Sequence, residues 1–177
     1  QEQSLSTQVS LFGEESSVQF PEPDVPNCPE WGNMRKLKAE KEVIGIYISG
    51  HPLNDYKHEV ASICNADLKK VIHQPEKLKG KTIKIAGIVN NVEHRESQNG
   101  RGFAFFEIED FNESYRFGIF KEEYMKYKHL LVQDEFLLLT IHLYTYYDKR
   151  NERASDIRFQ FNNIELLDNS MDKYTGK

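Results

Sequence analysis

The sequence predicts a mainly β fold with flanking helices, and two observations carry that prediction. The hydrophobic period shortens from about 3.6 residues to two at Gly80. Beyond Gly80 the order of elements is three strands, a helix and two more strands. That is the order of the OB-fold, a five-stranded, partly open Greek-key barrel. An extended linker and a small helical segment precede it.

Residues 1–30 hold four of the six prolines (Pro21, Pro23, Pro26, Pro29) among Glu, Ser and Gln. With few branched apolar residues, this stretch cannot bury enough surface to order itself, and it reads as an extended linker. One apolar island interrupts it, at Val9, Leu11 and Phe12. Residues 31–74 read as a helical connecting segment. Trp31, Met34 and Leu37 begin a helical spacing that resumes at Val43, Ile44 and Tyr47. The apolar run reaches Ile48, where Ser49 and Gly50 stop it and Pro52 forbids simple continuation. A second helix over 52–64 carries Leu53, Tyr56, Val60 and Ile63 on one face, and a short amphipathic piece follows at 66–72.

The barrel occupies 75–168, with a tail at 169–177. Its strands are expected at 81–92, 103–110, 115–120, 136–147 and 157–167, with a helix over 121–131 bearing Tyr124, Tyr127, Leu130 and Leu131 on one face. Gly87, inside the first strand, suits the bend that lets one strand join both sheets of a barrel. Alternation assigns the faces. Ala104, Phe106 and Ile108 point inward with Tyr115, Phe117, Ile119, Leu137, Leu139, Ile141, Ile157, Phe159 and Phe161. Phe103, Phe105, Glu107 and Glu109 point outward, on the strand where OB-folds receive ligands.

Composition bounds the function. The 177 residues carry Lys+Arg 23 against Asp+Glu 28, a net charge of -5, which argues against a strongly basic nucleic-acid binder but leaves room for a local positive groove. No stretch approaches the roughly 18 apolar residues of a membrane span, and no secretory signal pattern is present. Gln1 in place of an initiating Met reads as an excised or processed chain. Cys28 and Cys64, far apart and without histidines at ligand spacing, are expected to be free thiols in a reducing compartment, hence the cytoplasm. The six histidines form no HxxxH or HxH pair, there is no CxxC, and Gly100-Arg101-Gly102 is too short for a phosphate loop. Glu107, Glu109 and Asp110 form a carboxylate cluster on a strand, where a solvated face is a better reading than a metal site. No catalytic residue, metal ligand or cofactor site is predicted.

Two binding sites are. Gln8-Val9-Ser10-Leu11-Phe12 is a short peptide whose Gln8 amide makes directional hydrogen bonds while Leu11 and Phe12 fill apolar pockets, at a modest ordering cost. On the barrel, a single strand of nucleic acid would stack its bases on aromatics along a positive groove. Phe103 and Phe105 are the outward aromatics of the second strand, and Arg116 is outward on the third. Arg95 and Arg101 flank the loop joining the first two strands, and Lys149, Arg150 and Arg153 populate the loop 148–155. Glu93, Glu96, Glu107 and Glu109 share that neighbourhood, so protein contact competes with DNA contact as a reading of this face.

The stretch 40–56, EKEVIGIYISGHPLNDY, closely resembles a segment of the bacterial DNA polymerase III alpha subunit family. The pentapeptide QVSLF resembles the sliding-clamp-binding peptide of bacterial replication proteins. Ile85-Ala86-Gly87-Ile88-Val89, then 102–110, then Ile119-Phe120 with Glu123-Tyr124, are similar to successive OB strands of the same family, so the likeness runs from about Gln8 to Leu167. The turn after Asp110 departs from it, reading Phe111-Asn112-Glu113-Ser114 where the family commonly has a Gly. The resemblance implies a parent that is a DNA-templated nucleotidyltransferase, using magnesium held in a palm domain absent from this chain. It further implies a fragment that tethers the polymerase to the sliding clamp, guides single-stranded template, and works among other subunits of the holoenzyme. Two other classes fit a barrel of this kind: the anticodon-binding OB domain of an aminoacyl-tRNA synthetase, which leaves QVSLF unexplained, and a protein-interaction scaffold.

Overall fold

A computed structural model describes residues 28–148 and 153–169. The expected clamp-binding residues Gln8, Leu11 and Phe12, and the loop residues Lys149 and Arg150, lie outside the described residues. All the elements below belong to the unit Asn33–Lys177.

Helix α1 spans Asn33–Ile44. Its end differs from the expected one. Gly45, at φ 87°, takes the left-handed conformation that glycine adopts most readily, and its N–H donates to the Lys41 carbonyl at 2.8 Å, closing the helix. The stop is therefore Gly45, not Ser49 and Gly50. The expected apolar face is corrected as well. Leu37 is its only fully buried member, while Val43, Ile44, Ile46 and Ile48 are all exposed. Helical spacing continues through a residue that breaks the helix, because periodicity records residue type and not backbone conformation. Glu40 fixes the segment that follows by accepting from the amides of Ile48 and Ser49 at 2.8 and 2.9 Å.

His51 starts the next turn. Its Nδ1 accepts from the Leu53 amide at 3.1 Å, and Pro52 supplies the pre-set φ of a first helical position. A 3-10 turn, Pro52–Tyr56, runs directly into α2, Lys57–Ile63. As expected, Leu53, Tyr56, Val60 and Ile63 share a face, and it packs with Ala86, Leu138 and Leu167 in a small apolar cluster. Two short helices follow, α3 at Leu68–His73 and α4 at Pro75–Leu78.

Five antiparallel strands form one sheet: β1 Thr82–Glu96, β2 Gly102–Glu109, β3 Ser114–Phe120, β4 Phe136–Asp148 and β5 Arg153–Leu166, in the order β3-β2-β1-β4-β5. Helix α5, Lys121–Tyr127, connects β3 to β4. This is the expected OB-like, mainly β architecture with flanking helices. β1 serves two partners, pairing with β4 from Thr82 to Ile88 and with β2 from Ile88 to Glu96. The change-over falls at Gly87 and the adjacent bulge between Val89 and Asn91. A Cβ on Gly87 would lie 2.2 Å from Ile108 Cγ2 and 2.6 Å from the Glu109 carbonyl oxygen, so only glycine lets β2 cross this closely. β5 begins at Arg153, earlier than the expected 157, which shortens the β4–β5 loop.

Among the described side chains the inward residues are those alternation assigns, and the expected inward side chain of Ile157 lies outside them. Ala104, Phe106, Ile108, Phe117, Ile119, Leu137, Leu139 and Ile141 are all buried in one core with Phe161, and Tyr127 and Leu131 close one end. Tyr115 and Phe159 are half-buried against it. β3 and β5 are the two ends of the hydrogen-bonded order, and rings bridge them instead. Phe159 lies 5.5 Å from Tyr115 and 5.2 Å from Phe117, and Phe161 lies 5.7 Å from Phe117. Asp110, buried at the end of β2, accepts from the amides of Leu68 (2.6 Å), Asn112 (2.8 Å) and Glu113 (3.0 Å), tying the β2–β3 turn to the start of α3. No helix among the described residues is long and apolar enough to cross a membrane.

Candidate nucleic-acid interface

The register of β1, β2 and β3 lays the outward side chains in three rows. Arg95, Phe103 and Phe120 form the first, Glu93, Phe105 and Gly118 the second, and Asn91, Glu107 and Arg116 the third. Directly opposed residues on one sheet face are neighbours, so each row is a line of contact. Phe103 and Phe120 stack at 5.7 Å and 19°, and Phe105 meets both edge-on, at 5.8 and 5.9 Å. Gly118 makes room for this: a Cβ there would stand 2.8 Å from Phe120 Cε2 and 3.1 Å from Phe105 Cε1.

Two guanidinium groups flank the rings. Arg116 lies 4.9 Å from the Phe105 centroid and Arg95 lies 6.0 Å from it, within cation–π range. Both also contact Glu93, Arg95 at 2.5 Å and Arg116 at 2.9 Å. The expected residues Phe103, Phe105, Arg95 and Arg116 therefore do come together.

Arg101 sits beside them at the hairpin. Its backbone closes the β1–β2 turn with Ser97, and its side chain lines a cleft of about 1530 Å³ that also takes in Phe105, Phe120, Tyr144, Arg158 and Phe159. The cleft follows the β3–β5 seam. Arg153 is placed by its backbone, opposite Asp148. Phe120, 47% exposed, is a member of this face that the sequence reading passed over. The signal was available, because alternation from an outward Arg116 puts Phe120 outward too.

The carboxylate cluster does not act as a unit. Glu107 stays in the third row, Asp110 turns inward, and Glu109 pairs with Lys41 of α1 and with Asn90. Burial works to lower the Lys41 pKa, but Glu109 and the Tyr47 hydroxyl outweigh it and hold the ammonium above its ordinary value. His51 lies beside this group, its Nε2 buried without a hydrogen-bond partner and 4.0 Å from Glu109. Burial pushes the imidazole pKa down despite that carboxylate. Among the described residues no group of three or more His, Cys, Asp or Glu is placed to hold a metal.

Comparison with known proteins adds ancestry to this geometry. The chain is 32% identical over 109 residues to the DNA polymerase III subunit alpha of Treponema pallidum, covering 62% of this chain and 9% of that protein. The corresponding subunit of Escherichia coli O157:H7 is 28% identical over 75% of this chain, and that of Borreliella burgdorferi 28% over 80%. Over most of its length the chain is similar to the DNA polymerase III alpha subunit. It spans only 9% to 13% of the length of these alpha subunits. No protein-family model matches. A solved structure of RecG bound to a three-way DNA junction overlaps loosely, with a TM-score of 0.35 and 14% identity across 93% of this chain and 21% of that one.

Proposed function

We propose that this chain is a non-catalytic, C-terminal portion of a bacterial replicative polymerase alpha subunit that contacts single-stranded template DNA through the outward face of β1, β2 and β3. The observation that carries the reading is the Phe103–Phe105–Phe120 ring cluster flanked by Arg95 and Arg116. Rings offer sequence-tolerant stacking, worth ~1–3 kcal/mol per base, and guanidinium groups track phosphates. The overall charge of -5 makes the contact weak in isolation. In the parent enzyme other domains would hold DNA nearby and raise its effective concentration.

Nucleotidyl transfer and its magnesium belong, in this reading, to a palm domain outside this chain. The peptide around Gln8, Leu11 and Phe12 tethers the polymerase to the sliding clamp, other subunits of the holoenzyme surround it, and the assembly works in the cytoplasm. An anisotropy titration with labelled oligothymidylate tests the DNA contact. Affinity is expected to fall with salt, with a slope near -0.7 per phosphate contact. Replacing Lys149, Arg150 and Arg153 by Ala should flatten that slope, and Phe105→Ala should weaken binding without changing it. Calorimetry against the clamp tests the tether. Leu11→Ala with Phe12→Ala should abolish binding, since truncating such anchors costs ~2 kcal/mol or more each. Equal affinity of parent and double variant would refute the tether, and an unchanged salt slope would remove the β4–β5 loop from the DNA path.

A further inference from the structure

Glu93 is a small acidic residue in the middle of a face read as a phosphate-tracking surface, and its position there is not neutral. The cross-strand partner of Glu93 is Phe105, so its carboxylate rises beside the central ring of the cluster. One oxygen, Oε2, contacts Arg95 Nη2 at 2.5 Å, and the other, Oε1, contacts Arg116 Nη2 at 2.9 Å. The carboxylate is the better-anchored partner: its side chain is 32% exposed, against 56% and 52% for the two arginines. It grows from the middle of a paired strand, while the guanidinium groups end long, exposed side chains. Two oxygens, one for each guanidinium, is the arrangement that the two non-bridging oxygens of a phosphodiester would otherwise supply.

Resting on the nucleic-acid reading of this face, we infer that Glu93 is a built-in counter-ion that competes with the phosphodiester for Arg95 and Arg116. A strand reaching this face displaces the carboxylate from each guanidinium, and affinity and salt dependence report that exchange. The same pairing distributes work among the rings. Both rings line the cleft, but Arg116 and Arg95 lie over Phe105 whereas Phe120 is among the exposed side chains, so Phe120 is the ring open to an incoming base.

The test is an anisotropy titration of the whole chain with labelled oligothymidylate at about 50 and 200 mM salt, a range over which phosphate contacts are strongly resolved. Glu93→Gln should bind roughly threefold to tenfold tighter at the lower salt, as expected for removing two exposed ion pairs. Its salt slope should steepen by about 0.7, the value of one further phosphate contact. Glu107→Gln is the control for charge alone. Glu107 lies on the same face, directly across from Arg116, but the carboxylate that both guanidinium groups contact belongs to Glu93. The control should gain less than about twofold, the scale of a screened surface charge. Phe120→Ala should lose more affinity than Phe105→Ala. Equal gains for Glu93→Gln and Glu107→Gln, or no gain for Glu93→Gln, would overturn the counter-ion role. Glu93→Ser is carried alongside with thermal melting of every variant. If both Glu93 variants unfold, the carboxylate serves the fold and the inference is overturned. If neither the parent nor any folded variant binds oligothymidylate, the nucleic-acid reading of the face fails, and this inference with it.

Discussion

Replacing Asp110 removes the acceptor that joins the hairpin of the candidate interface to the helical segment. Its carboxylate takes three backbone amides: Oδ2 from Leu68, and Oδ1 from Asn112 and Glu113. Leu68 is fully buried and opens α3, whose first-turn amides have no intrahelical partner. Asp67 satisfies the amide of Lys70, leaving that of Leu68 to Asp110. In Asp110→Ala the turn amides of Asn112 and Glu113 recover part of their loss from water, but the Leu68 amide is left buried and unmet. Hydrogen bonds to charged groups contribute about 1.5–3 kcal/mol each, so a loss of about 3–5 kcal/mol is expected. Asp110→Asn keeps an oxygen for the turn but presents its NH₂ to the Leu68 N–H, and should cost about 1–3 kcal/mol. Both are large against a total stability of roughly 5–15 kcal/mol. Urea unfolding followed by far-ultraviolet circular dichroism reads them as midpoint shifts at constant slope. An Asp110→Ala midpoint within about 0.5 kcal/mol of the parent would refute the reasoning, since that is the range of an ordinary surface substitution.

Two further perturbations follow from the same geometry. Gly87→Ala should destabilise by about 1–3 kcal/mol, because its Cβ meets Ile108 at 2.2 Å and a backbone oxygen at 2.6 Å; a thermal midpoint equal to the parent's would contradict it. His51 is held neutral by burial, so its folded pKa lies below the unfolded value of about 6.5. The unfolded chain then takes up the proton first as pH falls, and the stability contribution is full above about pH 6.5 and declines below it. The charges that act on the imidazole are Glu109 and Asp110, which favour its protonation, and Lys41, which opposes it, and the Tyr47 ring meets it edge-on. His51→Asn keeps a cap acceptor for the Leu53 amide and removes the titration, so its urea midpoint should fall less than the parent's between about pH 7 and 5.5. Identical acid-side losses in both would exclude His51 as the source.

The barrel was legible because strand alternation is local. Ala104, Phe106 and Ile108 alternate with Phe103, Phe105 and Glu107, and the folded sheet has only to obey the pleat. The face of Leu53, Tyr56, Val60 and Ile63 was legible for the same reason at a helical period. The end of α1 was not, because Val43, Ile44, Ile46 and Ile48 keep apolar spacing across Gly45, where the backbone turns left-handed. The interface was half legible. Which residues face outward follows from parity, but which outward residues touch depends on register between strands, set here by a bulge between Val89 and Asn91. Glu93 read only as unfavourable charge until that register placed it against two arginines. Asp110 read as the third member of an acidic cluster, although the pleat and the turn send it the opposite way from Glu107.

The seam between β3 and β5 has a consequence for the timing of motion. Four strand interfaces are ladders of amide bonds, whose register fixes them one residue at a time. The fifth side is held by Tyr115, Phe117, Phe159 and Phe161 ring to ring, with Glu123 accepting the Phe161 amide and the Tyr127 hydroxyl donating to the Asn162 carbonyl. Ring contacts slide and re-form without a register to restore, so this line is where the wall can part while the rest stays closed. In deuterated water, amides on the seam edges of β3 and β5 should exchange through local opening, and those of β1, paired with β4 over its first half and with β2 over its second, only with global unfolding. The cleft lies along that same line, so the part of the barrel that opens soonest is the part a ligand would enter.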